Sequence, residues 1–399
     1  RLPFKKNMLE VLKNRGFLIL WFGLLLGGAG QEVYNLLPKH FELQGFPPET
    51  VGFIMSFTGL GGILILPLCA LFIDRLNKQK MLFGVIILHA LTPLLYFIPM
   101  SPRSLYFIPR LLQGAQISLM MILFTALVSF VVVSERRVQG YAVLGIMGQI
   151  GLFTGMNSGE FFFDIFGFPA VYILSVFFFS GSILVLKMMP KAEQNSGGEI
   201  PEGLPRLSDF KVVITRKELF PVFYWIILLG FGFGFLLTFI PGIAFHGGLE
   251  RVRPFYIAYP LTVLLVRSTV SSYFDRLPRS VVLIPPLVLL PLVFILATRV
   301  TSVLFLALVG VLYACAHSVL FPVLISILMN HSPVSFRGRM SVLFQLFLNG
   351  GMFLAANTGG LLMGISLYFA LYVSAAFTAT GLILYVYIYL HNKKLRRNI

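Results

Sequence analysis

Charged and amide side chains are scarce within the long apolar stretches of this chain, and the few present are spaced to bind protons or solutes rather than to make or break covalent bonds. Glu32 sits among Gln31, Tyr34 and Asn35 inside one such stretch, and Arg110 and Gln113 lie one helical turn apart in another. A charge at the centre of a bilayer costs about 2.5–3.5 kcal/mol on insertion scales unless it faces a cavity or a partner, so Glu32, Arg110 and Arg267 are the informative charges. Glu160 follows Gln149 by eleven residues, three turns along one helical face, and Asp164 follows Glu160 by one turn. His317, near Tyr313 and Ser318, could hold a solute or titrate near neutral pH. Each has a plainer alternative: a static charge pair for Glu32 and Arg110, solvation at a helix end for Asp164, a hydrogen bond to a neighbouring helix for His317.

The elements that carry these residues come in two copies. Ala70-Leu71-Phe72-Ile73-Asp74-Arg75-Leu76-Asn77-Lys78 is nearly repeated as Ser271-Ser272-Tyr273-Phe274-Asp275-Arg276-Leu277-Pro278-Arg279, and the same offset of 201 residues carries Arg136 onto Arg337 of Arg337-Gly338-Arg339. Both copies sit where a membrane helix would emerge and turn. Two membrane halves related by duplication are the architecture of a secondary transporter, with its site between them. Asp74 and Asp275, each at a helix end, can pair with nearby bases or accept from the free N–H groups of a helix N-terminus. With Arg75, Arg276, Arg337 and Arg339 they are therefore candidate gates; loops that only set topology are the alternative.

Composition supports a membrane setting: 57% hydrophobic residues, 12% charged and 41 Phe among 399 residues are too apolar for a water-facing surface. Twelve apolar stretches lie near residues 16–38, 51–73, 81–99, 104–133, 140–163, 169–189, 219–245, 254–274, 280–298, 302–329, 340–363 and 366–391. Each can cross a hydrocarbon core of about 30 Å as a helix. The sequence predicts an all-α integral membrane protein of twelve transmembrane helices in two pseudo-symmetric six-helix halves. Residues 1–189 and 218–399 form the halves, and the polar stretch 190–217 is a cytoplasmic linker with a short surface helix near 207–213. Thr50 is a candidate cap for the second helix.

The net charge of +16 raises a nucleic-acid partner as one possibility, but the bases form short membrane flanks. With termini and even-to-odd loops inside, 24 of the 31 Lys and Arg are cytoplasmic; only Lys39, Arg103, Arg251, Arg253 and Arg299 fall outside, and Arg110 and Arg267 lie within spans. This asymmetry puts both termini in the cytoplasm. Cys69 and Cys315 lie in predicted spans and read as small buried hydrophobes rather than a disulfide or metal framework.

Twelve spans in two halves, Asp74-Arg75 ending the second, Arg110-Leu111-Leu112-Gln113-Gly114 in the fourth and Arg337-Gly338-Arg339 entering the eleventh together resemble the major facilitator superfamily over essentially the whole chain. Within it the pattern looks most like proton-coupled efflux transporters of small organic compounds. Departures are visible: Ala70 and Asn77 replace the usual small-Gly start and internal Gly of the Asp-Arg motif, while Lys78 and Lys80 keep its bases. Gly151, Gly155 and Gly159 match the Gly-rich antiporter motif, but Met156 stands where that motif usually has Pro. The resemblance implies that the first, fourth, seventh and tenth helices line a central cavity, which Glu32 and Arg110 would share, and that Asp74 latches onto the eleventh helix when the cytoplasmic side is shut. Glu32, Arg110 and Glu160 are then the proton-coupling candidates, and Gln31, Tyr34, Asn35, Gln113, Gln149, Tyr313 and His317 the substrate-binding ones. Protonation of a carboxyl in such a cavity is set by the opposing effects of burial and a neighbouring guanidinium. Gly148, Gly151, Gly155 and Gly159, at helical intervals, let two helices approach closely, and Gln345, Asn349 and Asn357 add hydrogen bonds to the cavity or between helices.

No HExxH, Gly-x-Ser-x-Gly or Gly-x-x-x-x-Gly-Lys-Ser/Thr occurs, so metalloprotease, hydrolase and ATP-pump chemistry have no motif. Energy must then come from a gradient. The expected activity is proton-coupled efflux of a small amphiphilic organic solute by alternating access, with an uptake symporter or facilitator as alternative and a receptor or scaffold as a distant third. No cofactor or metal is expected. The partners are substrate, protons and lipid, and the setting is a monomer in a bacterial cytoplasmic membrane.

Overall fold

The structure, a computed structural model, describes residues 13–72, 77–132, 137–189, 215–269, 279–330 and 337–391. Residues 190–214 of the linker, the surface helix expected in it, and Asp74, Arg75, Asp275 and Arg276 lie outside the described residues. Arg337 and Arg339 open a described helix, but only its backbone is described there.

Apolar runs without strand partners must satisfy their backbone groups internally, and they do so as helices. Among the described residues these are α1 (Arg15–Glu32), α2 (Pro48–Phe72), α3 (Lys78–Leu91), α4 (Phe107–Val131), α5 (Arg137–Phe166), α6 (Phe168–Lys187), α7 (Phe220–His246), α8 (Arg253–Thr269), α9 (Arg279–Ala297), α10 (Val303–Asn330), α11 (Arg337–Ile365) and α12 (Leu367–His391). Nine are long and apolar enough to cross a membrane. The other three have visible reasons to fall short: α5 carries Gln149, Asn157, Glu160 and Asp164, the described part of α8 is 17 residues with Arg253 and Arg267 in it, and the apolar part of α9, Val281–Ala297, holds three prolines. Pro48 opens α2, where its missing N–H costs nothing, so Thr50 lies inside the first turn rather than capping it.

α1 does not run straight through. After Glu32 the chain tightens into a 3-10 turn, Val33–Leu36, and resumes as a short helix, Leu37–Leu43, whose Pro38 has no N–H for a continuing α-helical ladder. The tight turn stacks residues three apart and so brings Asn35 over Glu32.

Packing within the first half recurs in the second with six added to each helix number. α1 packs on α5 and α6 as α7 does on α11 and α12; α2 on α4 as α8 on α10; α3 on α4 and α6 as α9 on α10 and α12. The halves meet along two seams that obey the same rule, α2 against α11 and α5 against α8. We call the end of the bundle where α1 runs out and α2 begins the distal end.

Candidate functional site

Between the halves lies a cavity of about 160 Å³. Its first-half wall is Gln31, Glu32 and Asn35 at the end of α1, Met55, Thr58 and Gly59 on α2, and Arg110, Gly114, Ile117, Ser118 and Met121 on α4. The second half contributes Phe233, Gly234, Leu237 and Thr238 from α7 and Gln345, Leu348, Asn349, Met352 and Ala356 from α11. Glu32 and Arg110 are the only charged residues in this lining, and both come from the first half.

The two charges are held differently. Glu32 is half-buried, and its Oε2 accepts from Asn35 Nδ2 across the 3-10 turn. The Asn35 amide also reaches Met156 Sδ at 3.9 Å, so the residue standing where the antiporter motif has Pro supports the cavity wall. Arg110 is 3% exposed, and its Nη1 donates to Gln113 Oε1 at 2.9 Å, which also accepts from the Tyr96 hydroxyl at 2.8 Å. Its Nε is buried without a hydrogen-bond partner, and no carboxylate among the described residues makes an ion pair with it. The cavity thus holds an acid and a base that feel each other's field without being joined.

A second charged group closes the distal end of the α5–α8 seam. Lys39, 3% exposed in the short helix after α1, lies 3.0 Å from Glu160 Oε1 and 3.3 Å from Asp164 Oδ1. From the other half, Arg253 approaches Asp164 at 3.5 Å and Glu160 at 3.9 Å, and the Val252 N–H donates to Glu160 Oε1 at 2.9 Å. One turn deeper, Asn157 Nδ2 donates to the Tyr256 carbonyl at 3.2 Å. Two acids and two bases leave the cluster neutral, so its burial is compensated as long as the halves stay together.

The expected residues therefore separate. Gln31, Glu32, Asn35 and Arg110 do share the cavity, and Gln345 and Asn349 join them: Gln345 donates to Asn349, which donates to Ser118 of the other half at 3.4 Å. Gln113 stands behind Arg110 as its support. Glu160 belongs to the distal cluster instead, because its face of α5 meets Lys39 and Val252 before it reaches the cavity. Tyr34 is in the first-half core, hydrogen-bonded to Ser175 and stacked on His89. Gln149 is not in the lining, and its Oε1 is buried without a partner. Tyr313 and His317 stand behind Phe233: the Tyr313 hydroxyl donates to the Leu229 carbonyl, and His317 shares a hydrogen bond with Tyr259 and stacks on Phe233. That shielding explains why α10, expected in the lining, is replaced there by α2 and α11.

Gly151, Gly155 and Gly159 pack α5 against α1: a Cβ at Gly155 would collide with the Ala29 backbone, and one at Gly159 would fall 2.9 Å from Leu36. Gly148, expected on the same stripe, has open space beside it. Lys39, Tyr96 and Phe233 were missed. For Lys39 there was a signal, a lone base seven residues after Glu32 within an apolar run, hence on the same side of two helical turns.

The family model for the Major Facilitator Superfamily matches residues 20–285, two thirds of the chain. The chain belongs to the Major Facilitator Superfamily. Solved structures of superfamily transporters share its fold over nearly its whole length. The nucleoside transporter NupG is 14% identical with a TM-score of 0.74, covering 98% of this chain and 100% of its own. The human organic anion transporter MFSD10 (TETRAN) is 16% identical with a TM-score of 0.66, over 96% and 100%. A bacterial homolog of the human lysosomal transporter Spinster, inward-facing and occupied, is 13% identical with a TM-score of 0.67, over 96% of both chains. No curated protein matches the chain significantly. This superfamily member is an integral membrane transporter, and its cavity lies between its two halves.

Proposed function

We propose that the chain is a proton-coupled secondary active transporter that moves a small amphiphilic organic solute by alternating access, as a monomer in a bacterial cytoplasmic membrane with both termini inside. The observation that carries this is the half-buried Glu32 beside the buried, unpaired Arg110 in an otherwise neutral cavity between the halves. A carboxyl there can take a proton from whichever side has access, and the neighbouring guanidinium makes its occupancy depend on what else fills the cavity. Amides, Thr238 and Ser118 offer hydrogen bonds, and Phe233, Leu237, Leu348 and three methionines offer apolar surface, which suits an amphiphile better than a bare ion. Its structural neighbours include a nucleoside transporter and an organic anion transporter, whose solutes are of that general kind. The distal seam of charges and the Asp74 and Asp275 motifs are the candidate gates on opposite sides.

For direction, the family resemblance implies efflux against an inward proton. One observation favours symport: Glu32 and Arg110 are not ion-paired, so the cavity can hold a proton and a solute together instead of exchanging them. The test is solute-dependent proton movement in sealed proteoliposomes. Proton influx accompanying solute influx supports symport, the opposite sign supports efflux, and solute movement with no proton movement contradicts coupling.

A further inference from the structure

We infer that the solute is a small amphiphilic organic anion whose carboxylate binds Arg110, and that it shares the cavity with a proton on Glu32. This rests on the proton-coupled reading above and deepens it. A guanidinium presents several N–H donors and no acceptor. Arg110 has neutral partners only, the Nη1 bond to Gln113 and a hydrogen bond with the Tyr96 side chain, and its Nε is buried with none. A cation 3% exposed and without a counter-charge in contact is costly, and an anion entering the cavity would supply what the protein withholds. Gln113, fixed from behind by the Tyr96 hydroxyl, holds the guanidinium in place for a two-pronged grip on a carboxylate. The facing wall, Phe233, Leu237, Leu348 and Met352 with neutral Thr238 and Asn349, carries no charge that would repel an acid or attract a base. The acidic head therefore belongs on the first half and the apolar body on the second.

Glu32 decides what accompanies it. With Glu32 ionised the cavity lining is neutral, and an added anion would leave an uncompensated negative charge in a low-dielectric space. A proton taken from water onto the Glu32 carboxylate restores neutrality, and it returns to water when the anion leaves; no other bond forms or breaks. The titratable and charged groups acting on Glu32 are Arg110 of α4 and, more remotely, Tyr259 of α8; Asn35 of its own turn and Met156 of α5 touch it or its partner and are neutral. Anion and proton thus bind cooperatively and cross in the same direction.

Calorimetric titration of the full chain in nanodiscs with benzoate and hexanoate, against benzamide, hexanamide and benzylamine, tests this without requiring a variant. The acids should bind about tenfold or more tightly than their amides, the usual worth of a charged hydrogen-bonded contact. Titrations in buffers of different ionisation heat should show proton uptake on acid binding. Arg110→Gln should bring the acids to the level of the amides and Arg110→Lys restore part of the difference, while Glu32→Gln should keep acid binding and lose the proton uptake. Amides or the amine binding as tightly as the acids, no acid binding at all, or acid binding without proton uptake overturns the inference. Failure of the proton-coupled reading shows itself elsewhere, as unaltered protein in proteoliposomes that moves solute with no proton movement.

Discussion

The two seams that join the halves occupy equivalent places in the duplicated fold and are built from opposite materials. Along α2 and α11 the backbones nearly touch: a Cβ at Gly52 would strike Ala356 and Gly360, one at Gly59 would lie 2.6 Å from the Asn349 carbonyl, and Gly364 leaves the space that Glu49 fills. Along α5 and α8 the helices are joined by Lys39, Glu160, Asp164 and Arg253. Contact between small residues is short-ranged and indifferent to salt, whereas a charge cluster is stable only while water is kept out. On the proposed mechanism, the glycine seam would be the rail along which the halves pivot, and the charged seam the latch that holds the distal end shut.

The largest effect should come from the rail. Gly52→Leu forces backbone apart where no flexible side chain can yield, and overpacking of a core alone costs about 1–3 kcal/mol. Transport should be lost, and spin-label distances between α2 and α11 should lengthen at the distal end; unchanged distances would show that the seam has slack. Breaking the latch should come next. Lys39→Met leaves the buried Glu160 and the partly exposed Asp164 facing one partly exposed base, and removing one member of a buried pair costs about 3–5 kcal/mol, which here falls on the closed state. The population should shift toward distal-open, read as faster cysteine labelling at the cavity from that side. If labelling is unaltered while the fold survives, the cluster only ties α1 to α5. Asp164→Asn is the milder version: this carboxylate is 30% exposed, so its pairs are worth no more than about 1 kcal/mol, and the opening should be correspondingly small and vanish at high salt.

The smallest functional effect belongs to labels that show which side the latch faces. Lys80→Cys and Glu250→Cys are both exposed, and the charge asymmetry predicts reaction from the cytoplasm at the first and from outside at the second. Gly247, the obvious loop choice by sequence, is unsuitable because a Cβ there would collide with the Val300 carbonyl. Reversed sidedness would place the charged seam on the cytoplasmic side.

Helices were legible because lipid leaves the backbone few options. That Glu32 and Arg110 share one cavity was legible too, since a charge in an apolar run has few places to go. What failed was orientation around each helix. Tyr313 and His317 have cavity-like chemistry but face Tyr259 and the Leu229 carbonyl, and Tyr34 turns into its own half toward Ser175. One helical step decides between core and cavity, and polar residues satisfied by a neighbouring helix look the same in sequence as polar residues waiting for a ligand. Lys39 was hidden by the opposite error: a base near a span end is ordinarily solvated, and only the 3-10 turn after Glu32 turns it inward toward Glu160.

In the proposed mechanism Glu32 links proton to solute, and Glu32→Gln probes that link because the amide keeps the size and hydrogen bonding of a protonated carboxyl but releases no proton. One proton moving down 100 mV supplies about 2.3 kcal/mol, so losing it should abolish accumulation. In proteoliposomes carrying a proton gradient, the variant should still exchange labelled for unlabelled solute at both faces while failing to concentrate it. A variant that concentrates solute with normal proton flux would contradict the account.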